Sequence, residues 1–209
     1  MKTSATIISA LSVVVLGSAS VVAQQIMRTP ASPEATTPIT GRQLSPQIDA
    51  QSFRCITEMT RVRQFYVDNL LANLDATLTT ANSATGGTYP AGTVIQLVPT
   101  EAMVKRDKGV SPVTHDWEFF ELDISSDGTE IRKRGFAEVA NRFGNCFACH
   151  IQARPQWDLV CEKDHGCAPI PVTRAMIGAL QRTDPRCKNP KVRPEDAEAL
   201  KQLNELMKQ

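Results

Sequence analysis

Residues 117–136 read Trp-Glu-Phe-Phe-Glu-Leu-Asp-Ile-Ser-Ser-Asp-Gly-Thr-Glu-Ile-Arg-Lys-Arg-Gly-Phe, and this stretch decides the fold class. Trp117 to Ile124 is a strand-like run carrying three aromatics, Ser125-Ser126-Asp127-Gly128 supplies a turn, and Thr129 to Phe136 makes the return strand. Side chains alternate along a strand, so Trp117 and Phe119 share one face and Phe120 takes the other. Upstream, Tyr89-Pro90-Ala91-Gly92 leads into the β-branched run Thr93 to Val98, closed by Pro99. The middle of the chain is therefore an antiparallel sheet and not a bundle. The expected class is α+β, mainly antiparallel β-sheet with flanking helices.

Outward from the sheet, the apolar positions Cys55, Met59, Val62, Tyr66 and Leu70 recur at three and four and predict one helix over about Ile48 to Leu74. Helical character fades from Thr79 to Ala84, and Gly86-Gly87 marks a turn. On the C-terminal side, Ile151 to Val160 predicts a short helix interrupted by Pro155, and Pro171 to Leu180 another. Pro194 opens a last helix with Ala197, Leu200, Leu203 and Met207 on one side.

The N-terminus has the layout of a secretory signal peptide over residues 1–23: Lys2, an apolar run from Ala5 to Gly17, then small residues ending at Ala23. Residues 24–48, rich in Pro, Ser and Thr, read as a disordered lead-in. Residues 49–190 form the main domain and 191–209 the C-terminal helix. Such a protein is periplasmic or secreted. No later segment approaches the ~20 apolar residues of a membrane span. A net charge of +1 with no basic stripe argues against nucleic acid as a partner.

Within the main domain, Cys146-Phe147-Ala148-Cys149-His150 spells C-x-x-C-H, the pattern for covalent attachment of one c-type haem. Two cysteines so spaced reach two vinyl groups, and His150 offers its imidazole to the iron. A redox dithiol is a weaker reading, since no βαβ context surrounds the motif. A zinc site using Cys146, Cys149, Cys161 and either His165 or Cys167 is a second rival. In an oxidising compartment the four remaining cysteines, Cys55, Cys161, Cys167 and Cys187, should pair, and three pairings exist. Local loop closure favours Cys161 with Cys167, leaving Cys55 for Cys187.

Taken in order, Tyr89-Pro90-Ala91-Gly92-Thr93-Val94-Ile95, Asp116-Trp117-Glu118-Phe119-Phe120, and Cys146 to His150 followed by Asp158-Leu159-Val160 resemble the cytochrome P-460 family, which includes the gas-binding cytochromes c′-beta. The likeness runs from about Phe53 to Cys161. It implies a mainly antiparallel sheet, one covalent haem held by Cys146 and Cys149, and His150 as proximal ligand. Hydroxylamine-oxidising members carry a cross-linking lysine on the Gly-Thr-Val strand, where this chain has Gln96 and Leu97. From residue 24 onward the first lysine is Lys105. Chemistry closer to the c′-beta members is therefore expected.

The resemblance implies an exported mono-haem protein that binds or converts a small ligand, nitric oxide or a related nitrogen species, at the iron. Conversion would make it a haem oxidoreductase acting on small nitrogen compounds. Trp117, Phe119 and Phe120 are candidates for the distal pocket, with core packing as their alternative role. Glu118 and Glu121 offer distal acid groups, exposed strand carboxylates being commoner. A sixth ligand from His115, His165, Met103 or Met176 would instead make an electron-transfer cytochrome with a redox partner protein. A homodimer is compatible with either reading.

Overall fold

The structure is a computed structural model and describes residues 46–208. The signal-peptide reading and most of the lead-in lie outside the described residues. Six strands form one sheet in sequence order: β1 (Thr60–Val62), β2 (Phe65–Asn69), β3 (Thr93–Gln96), β4 (Glu101–Lys105), β5 (Trp117–Ser125) and β6 (Gly128–Gly135). Every neighbouring pair is antiparallel. The class is thus α+β with an antiparallel sheet. Its longest hairpin is the 117–136 stretch, where Gly128 takes φ +134 in the tight connection, a region that disfavours a side chain.

The predicted helix over residues 48–74 is not formed. The chain there makes a 3-10 turn at Ile56–Glu58, then β1 and β2 joined through Arg63 and Gln64, with Val62 opposite Phe65. Arg63 adopts φ +51 to close this hairpin. Successive buried residues Phe65, Tyr66 and Val67 are the mark of a strand covered on both faces, and over so short a run spacing alone does not separate strand from helix. A helix does form just beyond, α1 (Leu74–Ala81), where helical character reads as fading.

The sheet carries a core on each face. One holds Val62, Phe65, Val67, Ile95, Met103, Trp117 and Phe119, with Leu74 and Leu78 of α1 packed against it. The other holds Ile56, Tyr66, Val94, Val104, Phe120 and Leu122. Burying each large apolar side chain stabilises the fold by about 1.5–3 kcal/mol. On the C-terminal side α3 (Arg174–Arg182) starts at the Thr173 cap and packs against α4 (Pro194–Lys208). Gln181 fastens α3 to the sheet, donating to the carbonyls of Gln64 and Leu97 at 2.7 Å each. No helix of the described residues is long and apolar enough to cross a membrane.

Candidate functional site

The C-x-x-C-H stretch folds as a short helix, α2 (Cys146–His150). A two-stranded hairpin of β7 (Ala140–Asn141) and β8 (Gly144–Asn145) delivers the chain into it. Asn145 caps α2, accepting from the Ala148 N–H at 2.8 Å, and its amide donates to the carbonyls of Val139, at 3.1 Å, and Ala137. The Cys146 N–H also donates to Val139 at 3.0 Å, so the motif is tied to the loop before it. The predicted continuation over 151–160 stops at Ile151. Pro155 lacks an N–H, the preceding Arg154 is held extended at ψ 145, and only a 3-10 turn follows at Pro155–Trp157.

Of the six cysteines, Cys146 and Cys149 are unbonded, while Cys55 joins Cys187 and Cys161 joins Cys167. The pairs are those that loop closure favours. Cys161 and Cys167 are therefore not thiolate donors for a zinc ion beside the motif. The group of three metal-ligating side chains that lies close together among the described residues is Cys55, Asp184 and Cys187, with both sulfurs in the disulfide. Burial pushes the Cys146 thiol up to about 11, helped by the carboxylates of Glu101 and Glu121. Reactive dithiols are shifted the opposite way. Glu101 and Glu121 are cross-strand partners on β4 and β5. Burial raises the Glu101 carboxyl above its ordinary range, opposed by the Asn141 amide that donates to it at 2.8 Å.

His150 Nδ1 lies 2.6 Å from the carbonyl of Leu159. A carbonyl only accepts, so Nδ1 carries the proton and Nε2 is left as the donor nitrogen for a metal. Burial lowers the imidazole pKa, favouring the neutral ring, and the hydrogen bond to that carbonyl opposes it. The Phe119 ring packs on it at 5.3 Å and on Phe147 at 6.5 Å. Phe143 and Ile151 flank the motif with 43% and 47% of their surface exposed, leaving apolar surface at both of its ends.

The other candidates separate. Trp117 is fully buried and donates its indole N–H to the carbonyl of Asp158 at 2.7 Å. Phe120 does not belong to the site: alternation puts it in the opposite core, 5.0 Å from Phe53. Glu118 lies on that side too, paired with Arg106 and Arg134 at 2.7 Å each. Met103 sits opposite Phe119 in register and shares its core. Met176 is buried in α3, His165 stacks on Trp157 at 3.8 Å, and His115 stands 3.4 Å from the Asp158 carboxylate. Sequence reading gave no role to Asn145, Lys105 or Asp158. Asp158 stands in the quoted run after the motif, and Lys105 is the first lysine after the leader-like segment, but nothing local marks them as partners.

No protein-family model, curated protein or solved structure matches the chain.

Proposed function

We propose that the protein is an exported mono-haem c-type cytochrome of the P-460 and c′-beta type, which binds or converts nitric oxide or a related small nitrogen species at the iron. The observation that carries this reading is the donor set on α2. The chain's two unbonded cysteines share a helix with an imidazole whose Nδ1 is already committed to Leu159, leaving Nε2 available. A raised thiol pKa and exposed apolar flanks at Phe143 and Ile151 suit covalent attachment of a flat apolar group better than thiolate chemistry. Two disulfides fit an oxidising compartment. The antiparallel sheet with few helices is compatible with the P-460 architecture.

In this reading Cys146 and Cys149, the two unbonded thiols, would hold the haem covalently as thioethers. When bound, haem supplies an iron centre that takes up small uncharged ligands and changes redox state. His150 would offer its Nε2 to the iron, Nδ1 being committed to the Leu159 carbonyl. Leu159 fixes the ring's tautomer, Phe119 packs beside the ring, and Phe147 packs against Phe119.

Export of the protein through a c-type maturation system tests this. The expected product carries one haem by mass and haemochrome spectrum, with high-spin ferrous iron whose spectrum changes on adding nitric oxide. Low-spin iron indifferent to the gas would favour the electron-transfer reading. An exported protein without covalent haem overturns the proposal.

A further inference from the structure

The carbonyl that His150 uses belongs to an unusual turn. Asp158 and Leu159 are consecutive non-glycine residues with φ +48 and +64, a conformation that persists only where its surroundings enforce it. The Val160 N–H donates to the Trp157 carbonyl at 2.8 Å across the turn, and the side-chain contacts that enforce it converge on Asp158. Its buried carboxylate accepts from Lys105 Nζ at 2.7 and 2.9 Å and from the Tyr89 N–H at 2.9 Å. Its carbonyl accepts from Trp117 Nε1 at 2.7 Å. Lys105 is itself buried, donates to the His115 carbonyl at 2.6 Å and lies 4.9 Å from the Trp117 ring centroid. Burial pulls the Lys105 pKa down, opposed by Asp158. An ion pair this dry gives little net stability against an apolar pair of the same volume. Direction is what it supplies: the charge pair and the indole fix the Asp158–Leu159 peptide, and the Val160 N–H bond to Trp157 carries that orientation into the next peptide, whose carbonyl is Leu159's.

Resting on the haem reading above, we infer that the buried Lys105–Asp158 pair is a positioning device for the His150 imidazole. Sheet strands β4 and β5 present Lys105 and Trp117, these fix Asp158, and the fixed turn aims the Leu159 carbonyl at Nδ1. A donor bond of this kind makes the coordinating ring more basic and favours the ferric iron, so the pair sets the electronic character of the centre without touching it.

The test uses the exported, haem-loaded protein and its Asp158→Asn variant, which keeps the side chain's size but leaves Lys105 facing a neutral amide. The readouts are the iron–histidine stretching band of the ferrous form in resonance Raman and the midpoint potential. The expected result is a broadened band at lower frequency and a raised potential. A haem-loaded variant with both unchanged overturns the positioning role and leaves the haem reading standing. A parent protein without covalent haem overturns that reading and this inference with it. If Asp158→Asn does not accumulate, Trp117→Phe removes the indole donor together with part of the buried ring that Lys105 faces, and should shift both readouts in the same sense; no shift again overturns the role. Phe120→Leu, in the opposite core, should move neither. A shift there as large as that in Asp158→Asn or Trp117→Phe would mean that general loosening produces the signal, and would overturn the role too.

Discussion

Phe119 and Phe120 are adjacent in the chain and 2% and 1% exposed, yet the strand points them into separate cores. Replacing either by Leu removes similar buried volume, so each variant should lose about 1–3 kcal/mol of stability in a denaturant titration. Their effects on the site should differ, because only Phe119 touches the His150 ring. The ferrous spectrum of the haem-loaded protein should change in Phe119→Leu and not in Phe120→Leu; equal changes would show that the two faces are not independent. This division is legible in the sequence, since alternation over residues 117–120 separates the two rings without any tertiary information. The role of Asp158 is not legible. It depends on Lys105, 53 positions away, and on a run of two positive φ values that Leu159 does not advertise by residue type.

Among the elements, α4 offers a test by pH. Its Asp196 accepts from the Arg193 N–H at 2.8 Å, closing the helix start, and from the Arg182 guanidinium of α3 at 3.0 and 3.2 Å. The Arg182 bonds, foremost, hold the Asp196 carboxyl below its ordinary value of about 3.9. A carboxylate depressed in the folded state contributes stability above its unfolded pKa and loses it as pH falls through the folded one. The protection of the α4 amides, taken relative to the free chain at the same pH, should therefore fall below about pH 4. At neutral pH, Asp196→Asn should already cost about 2 kcal/mol, and it should flatten the acid response; an unchanged acid profile would remove Asp196 from the account. Helices α3 and α4 are legible from their apolar spacing and from Pro194. Strand β4 is not: Glu101 and Lys105 at its ends hide a three-residue alternation whose Ala102 and Val104 serve one core and Met103 the other. The β1–β2 hairpin misleads for a related reason, because two short strands joined by two residues imitate helical spacing.

At the scale of the whole molecule, the two disulfides divide stability from site geometry. Cys55–Cys187 closes a separation of 132 residues and joins the segment before β1 to the segment after α3. Beside it the buried Asp184 accepts from the Ile56 N–H at 2.9 Å and pairs with Arg186, which reaches the carbonyls of Phe53 and Pro99. Cys161–Cys167 closes only 6 residues, and its Cys161 sulfur lies 3.9 Å from the Cys149 carbonyl, against the attachment helix. Chain entropy assigns the long closure about 5 kcal/mol and the short one about 2 kcal/mol. Guanidinium unfolding should rank the double-alanine variants in that order, with Cys55→Ala/Cys187→Ala the less stable. Haem incorporation should rank them the other way, because the short loop follows directly on the Asp158–Leu159 turn that His150 leans on. If the long-closure variant instead loses haem at denaturant-free concentrations where it remains folded, the N-terminal segment bears on the site through the sheet, and the two cores cannot be treated as separate supports.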